Sequence, residues 1–506
     1  MPRFEFVTGS PAEQDTELLL LPYFQGPEAG PGMREVGRAL GTDLVALLRE
    51  NRLAGRFGEA FTVPTLGRGR AGTVMLLGLG KKGEADPDIV RRAVGKVAPR
   101  AARYRSVAST LPQAPRGAWQ EAIQAFVEGL LLGSYRFDRY KVRPIEEDGE
   151  RPQLDRVAVL GSSRWDARGA REAIRRGEIF SGATTWARDL VNIPALDATP
   201  EFLASEARKM ANKVGLKSKV WTKAELERGG FGGILGVGRG SENQPRMIEL
   251  SLDGGSGPPV ALTGKGVTFD SGGLSIKDAH GMEWMKADMA GAATVLAAMR
   301  AIAELKPKVN VIAAIPSAEN MPGGSSIRPG DVLTHRGGKT SEVLNTDAEG
   351  RLILADALSY LIEQKPRSVV DMATLTGACM IALGEEIWGV MGSDRRVIDD
   401  LLAAGREAGE PGWELPLWTR YRKQIESSVA DVKNIGQRWG GAITAALFLK
   451  EFVGDVPWAH MDIAGTAFAE RAGDYWPKGA TGNPVRTVIR YVERQAARGA
   501  GSRRKR

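Results

Sequence analysis

Val260-Ala261-Leu262-Thr263-Gly264-Lys265-Gly266-Val267-Thr268-Phe269-Asp270-Ser271-Gly272-Gly273 runs from an unbroken apolar stretch straight into charged residues set among glycines. A short apolar run without polar alternation reads as a strand covered on both faces, the mark of a parallel sheet flanked by helices. In open α/β sheets ligands collect beyond the carboxyl ends of the strands, where Lys265 and Asp270 fall. Glycines around them let the backbone bend sharply enough to bring both charges to one place.

Outward from this stretch the same pattern repeats. Residues 247–252, 309–315 and 369–372 read as further strands, and 292–305, 352–362 and 443–452 as helices. Upstream, 74–77 and 157–160 read as strands and 87–104 and 122–132 as helices, a second and smaller α/β set. A chain of 506 residues exceeds what one core usually serves. The expected division is an N-terminal α/β domain at 1–165 and a largely helical connector at 166–213. A larger α/β domain with a central, mostly parallel sheet flanked by helices follows at 214–492, then a basic, disordered tail at 493–506. Within the first part, 146–152 reads as an exposed loop.

The formal charge of +8 is concentrated at the end of the chain, where 493–506 carry six Lys or Arg against Glu493 alone, leaving +3 for the rest. Overall charge therefore does not point to nucleic acid. Arg91, Arg92, Lys96, Arg100 and Arg103 do form a basic stripe at helical spacing, read as a solvated outer face rather than a nucleic-acid surface. Gly78-Leu79-Gly80-Lys81-Lys82-Gly83 matches the dinucleotide pattern, but no acid follows about twenty residues on, so it reads as a strand-to-helix turn. One cysteine, Cys379, rules out an intrachain disulfide or a thiolate cluster for zinc, in keeping with a cytoplasmic protein. The only apolar run near the N-terminus, 18–21, is too short for a leader or a membrane span.

Chemistry concentrates between Lys265 and Arg351. Asp347 and Glu349 stand two residues apart, so in an extended segment both carboxylates project from one face. With Asp270 and Asp288 they make four acids interleaved with Lys265 and Lys277, and crowded carboxylates are relieved by divalent cations or a shared proton. His280, His335 and His460 do not form a zinc-binding spacing, so the ligands would be oxygens and the metal identity stays open. Residue types alone support a two-metal hydrolase or a phosphoryl-transfer enzyme.

Asn345-Thr346-Asp347-Ala348-Glu349-Gly350-Arg351-Leu352 resembles the signature of the leucyl aminopeptidase (cytosol aminopeptidase) family. Blocks at 189–192, 264–277, 318–322, 373–378, 441–446, 458–465 and 478–482 agree with it. The resemblance implies a peptidase that removes N-terminal residues with two divalent ions, Mn²⁺ or Zn²⁺. Asp270 and Glu349 would bridge the ions, Asp347 would complete one site, and Lys265 with Asp288 the other. Lys277 would stabilise the oxyanion, and Arg351 would hold a bicarbonate acting as general base. Met285, Thr374, Gly377, Ala464 and Ala467 would line a pocket for leucine-like side chains. The family also implies peptide substrates and a homo-hexamer, while some relatives bind DNA as well. Gln437-Arg438-Trp439 departs from the family pattern, with Trp439 where a small residue or proline is expected.

Overall fold

The computed structural model describes residues 2–111, 119–142 and 154–503; the loop expected at 146–152 lies outside them. The chain divides into two compact units, Met1–Gly182 with Arg471–Lys478, and Ala183–Glu470 with Gly479–Arg506. This differs from the expected boundaries at 165 and 213. A single helix, Ala167–Asn192, runs through the boundary, and Ala170, Ala173 and Ile174 near its start belong to the N-terminal core. No change in composition marks the division because no linker exists there.

The first unit holds a seven-stranded sheet. Its central strand, Thr16–Phe24, contains the apolar run at 18–21, which serves as core, with Leu18 and Leu20 packed on one face and Leu19 and Leu21 on the other. The glycines after strand Ala71–Gly78 make a turn, with Gly80 at φ 76°. The basic stripe is the solvated face expected at Lys96, Arg100 and Arg103, which are exposed, but not at its start. Arg91 is buried and pairs with Glu128 and Asp88, both at 2.7 Å. Arg92 and Lys96 both reach Asp474, in the segment contributed from residues 471–478. Charge periodicity alone cannot separate a solvated arginine from one neutralised by a neighbouring helix.

The second unit is built on a nine-stranded sheet. Strand Val260–Gly264 lies at its centre, parallel to Asn310–Asn320 on one side and Ser368–Ala373 on the other. Ser368–Ala373 in turn pairs in parallel with Trp458–Asp462, and antiparallel strands extend both flanks. Successive residues alternate between covered faces. Ala261, Val369 and Ala373 join the core beneath helices Gly350–Glu363 and Gly441–Lys450. Val260, Leu262 and Val370, fully buried, face the other way, where helix Ala290–Leu305 packs. That helix approaches so closely that a Cβ on Gly291 would lie 2.2 Å from the Met372 carbonyl oxygen.

The tail expected to be disordered is helical through Arg503, as the end of Val485–Arg503. Arg498 binds the buried Asp400 at 2.7 Å and Arg494 binds Glu407 at 2.6 Å, so these two arginines are partners of acids. Only 504–506 of that segment lie outside the described residues.

Candidate active site

The central strand ends at Gly264, and the chain re-enters the sheet as Gly266–Asp270 beside Asn310–Asn320. Lys265 sits in the break, held by its backbone N–H to Met372 O and by its own carbonyl oxygen, which accepts from Ala292 N. Asp270 ends the short strand. Gly272 and Gly273, at φ 85° and 65°, then turn the chain back so that Lys277 N–H donates to Ser271 O at 2.9 Å. Asp288 arrives just before helix Ala290–Leu305, and Asp347 and Glu349 just before helix Gly350–Glu363.

The extended geometry expected for the last pair is not what forms. Glu349 has helical dihedrals and Arg351 already lies inside the helix, because the chain must turn immediately to lay the apolar residues after Arg351 on the sheet. The carboxylates converge all the same. Asp270, Asp347 and Glu349 place oxygen atoms within 4.8 Å of one another.

The lysines divide the acids between them. Lys265 Nζ lies 2.7 Å from Glu349 Oε1 and 2.8 Å from Asp288 Oδ2. Lys277 Nζ lies 2.9 Å from Asp270 Oδ2 and also contacts Asp347. Burial disfavours the Lys265 cation, but Asp288, Glu349 and Asp270 outweigh it and its pKa stands above the ordinary lysine value. Burial likewise works against Lys277 and is outweighed by Asp270 and Asp347. Asp288 is pushed well above the carboxylate range by burial, despite Lys265, and burial with the neighbouring Glu349 raises Asp270. Burial and Asp270 raise Asp347. Burial brings Arg351 down to about 10, leaving it charged near neutrality.

This donor set fits divalent cations. Glu349 Oε2 is buried with no hydrogen-bond partner, an expensive state for a carboxylate that a cation relieves. Arg351 Nη1 donates to Asn434 O at 2.7 Å, while its buried Nε has no acceptor, which fits a small anion.

The site opens into a cleft of about 840 Å³. Met285, Thr374, Gly377, Ala464 and Ala467, from separate segments, all line it, and a Cβ on Gly377 would meet nothing within 4 Å. Thr374 ties this wall to the charged floor, since its Oγ1 donates to Asp288 Oδ1 at 2.7 Å and its carbonyl accepts from Lys265 Nζ at 3.1 Å.

Asn320, Asn434 and Asp462 support the site, and residue type alone assigns none of them that role. Asn320 donates to Asp270 Oδ1 at 2.8 Å and to Thr346 O at 3.0 Å, joining two of the segments that supply acids. Asn434 Oδ1 accepts from Leu344 N, and its Nδ2 donates to Asn345 O. Asp462, fully buried, accepts from Leu375 N, Thr376 Oγ1 and Ala464 N, fixing both apolar walls. The histidines stand apart from the acids: His460 pairs with Asp371, His335 lies between Asp356 and Ser341 in the core, and His280 is exposed beside Glu283.

By fold and site the chain is an α/β enzyme whose cleft is built to hold cations at its floor. Residues 185–489 match the model of the cytosol aminopeptidase family catalytic domain, and 20–144 match that family's N-terminal domain. A probable cytosol aminopeptidase of Geobacter sp. (strain M21) is 44% identical over 497 residues, covering 97% of this chain and 100% of that one. One from Syntrophotalea carbinolica is 44% identical over 95% of this chain and 97% of its own length. Among solved structures, a mutant of tomato leucine aminopeptidase superposes with a TM-score of 0.86 at 31% identity, covering 97% of both chains. The bottromycin maturation enzyme BotP, also solved in complex with Mn, gives 0.84 at 36% identity, covering 95% of this chain and all of that one. The chain belongs to the cytosol aminopeptidase family and is a peptidase.

Proposed function

We propose that this chain removes N-terminal residues, leucine-like ones in preference, from peptides with the help of two divalent ions, Mn²⁺ or Zn²⁺. The observation that carries the reading is the convergence of Asp270, Asp347 and Glu349 within 4.8 Å at the floor of an apolar-walled cleft. Asp270 and Glu349 would be shared between the ions, with Asp347, through its side chain and its own carbonyl, and Lys265 with Asp288 as the further residues that would hold them. When bound, such ions bring the ionisation of water toward neutrality and polarise a carbonyl. Lys265 has to give up its proton to act as a ligand, so cation binding and proton release are coupled there.

The rest of the work falls to the chain itself. Lys277, paired with Asp270 and Asp347 and part-exposed to the cleft, is the donor for the oxygen of the scissile carbonyl as charge develops on it, a contribution of about 3 kcal/mol. Arg351, with its unpartnered Nε, would hold a bicarbonate, which when bound would supply a general base. Met285, Thr374, Gly377, Ala464 and Ala467 form the side-chain pocket; thioether and small residues leave adaptable apolar room for leucine. A cytoplasmic location and a homo-hexamer belong to the same reading.

Leucine-p-nitroanilide hydrolysis tests it. Activity is expected to disappear with a chelator, return with Mn²⁺ or Zn²⁺, and fall by at least ~10³-fold in Glu349→Ala. Full activity after complete demetallation, or in Glu349→Ala, overturns the proposal.

A further inference from the structure

Away from its charged floor the cleft is electrically lopsided. Among the described lining residues outside the central cluster, the acids are Glu385 and Glu470, and the one permanent cation is Arg438. Glu385 follows the helix Gly377–Leu383, and Glu470 follows Ala464 and Ala467, so both acids belong to segments that form the apolar pocket. Arg438 belongs to a different wall, together with Ile435 and Gly436. That wall begins at Asn434, whose carbonyl accepts from Arg351 at 2.7 Å.

Among the described residues, no carboxylate pairs with Arg438. Its guanidinium instead stacks on Trp439, 5.0 Å from the ring centroid, and that indole is 74% exposed. The two residues are not a loose tip. Gln437 N–H donates to Gln424 Oε1 at 3.1 Å, Gly440 turns at φ 71° against the Tyr421 ring, and helix Gly441–Lys450 begins at once. A large exposed aromatic beside an uncompensated guanidinium contributes nothing visible to the fold. Stacking does hold the planar fork in place, and a weakly hydrated guanidinium so oriented is a strong bidentate partner for a carboxylate.

We propose that Arg438, held on Trp439, is a specificity-determining residue that binds a carboxylate on the part of the peptide beyond the scissile bond. The inference rests on the aminopeptidase reading and deepens it. A short peptide then lies along the cleft with its N-terminal residue in the pocket below Glu385 and Glu470 and its acidic end on the Arg438 wall. The substrate class it selects is short peptides with a free C-terminus, or peptides with an acidic side chain just after the first residue.

The test compares kcat/KM of the metal-loaded enzyme on Leu-Gly-Gly, Leu-Gly-Gly amide, Leu-Glu-Gly amide and Leu-Gln-Gly amide. A carboxylate is expected to improve kcat/KM about 10-fold, mostly through KM, and the advantage is expected to shrink with added salt. Preference for Leu-Gly-Gly over its amide assigns the C-terminal carboxylate; preference for the Glu peptide over the Gln peptide assigns a side chain. Arg438→Gln should bring whichever ratio is raised to near one, and Trp439→Ala should lower it part of the way. Ratios near one in the wild type, or a raised ratio that survives Arg438→Gln, overturn this inference while leaving the aminopeptidase reading intact. Failure to hydrolyse leucine-p-nitroanilide or any of the peptides overturns both.

Discussion

Replacing Gly350 by alanine adds one methyl group directly against the side chain of Lys265, one of the candidate metal ligands. A Cβ there would lie 2.6 Å from both Cδ and Cε of Lys265 and 2.9 Å from Nζ, where ordinary contact begins at 3.4 Å. The Lys265 side chain, 5% exposed, cannot swing into solvent and must retreat by about 0.8 Å within the site. It leaves the positions that now put Nζ 2.7 Å from Glu349 and 2.8 Å from Asp288. Helix propensity alone favours alanine over glycine by up to ~1 kcal/mol, whereas overpacking costs about 1–3 kcal/mol, so the clash decides the sign. The variant is expected to melt a few degrees lower and still fold. A displacement approaching 1 Å among reacting groups is expected to cost about 10²-fold in kcat. Leucine-p-nitroanilide kinetics, Mn²⁺ titration calorimetry and a thermal melt read the three effects separately. Wild-type kcat and Mn²⁺ affinity in a variant that melts at or above the wild-type temperature would refute the idea that this glycine exists to make room for Lys265.

Asn320→Ala should weaken Mn²⁺ binding by about 10–100-fold without unfolding the chain, because Asp270 loses the amide that orients it; calorimetry checks this. Cys379 is 2% exposed and burial pushes its thiol up to about 12, so the native protein should resist a disulfide-exchange reagent at pH 8 and release one equivalent only when denatured. Glu410→Gln should destabilise the second unit by about 3–5 kcal/mol in denaturant titration. It removes the charge from the buried carboxylate that meets the buried Arg486 guanidinium at 3.0 Å.

Local sequence determined the elements and the identity of the reactive groups. The apolar run at 260–263, short and without period-2 alternation, reads as a strand covered on both faces, and the charged residues past it fall where the ligands of such a sheet collect. The eight residues from Asn345 carried the family in the sequence itself, since backbone turns, acids and arginine are all specified there within one short segment. Tertiary structure decided what depends on partners distant in the chain. Arg91 reads as solvated until Glu128, 37 residues away, neutralises it. Arg494 and Arg498 read as a loose tail until Asp400 and Glu407 draw them into a helix. Asp347 and Glu349 meet Asp270 not through an extended segment but through a turn into a helix that the sheet beneath requires. The supporting roles of Asn320, Asn434, Asp462 and Gly350 are not legible because hydrogen-bond direction and the space for a methyl group are properties of the folded neighbourhood, not of residue type.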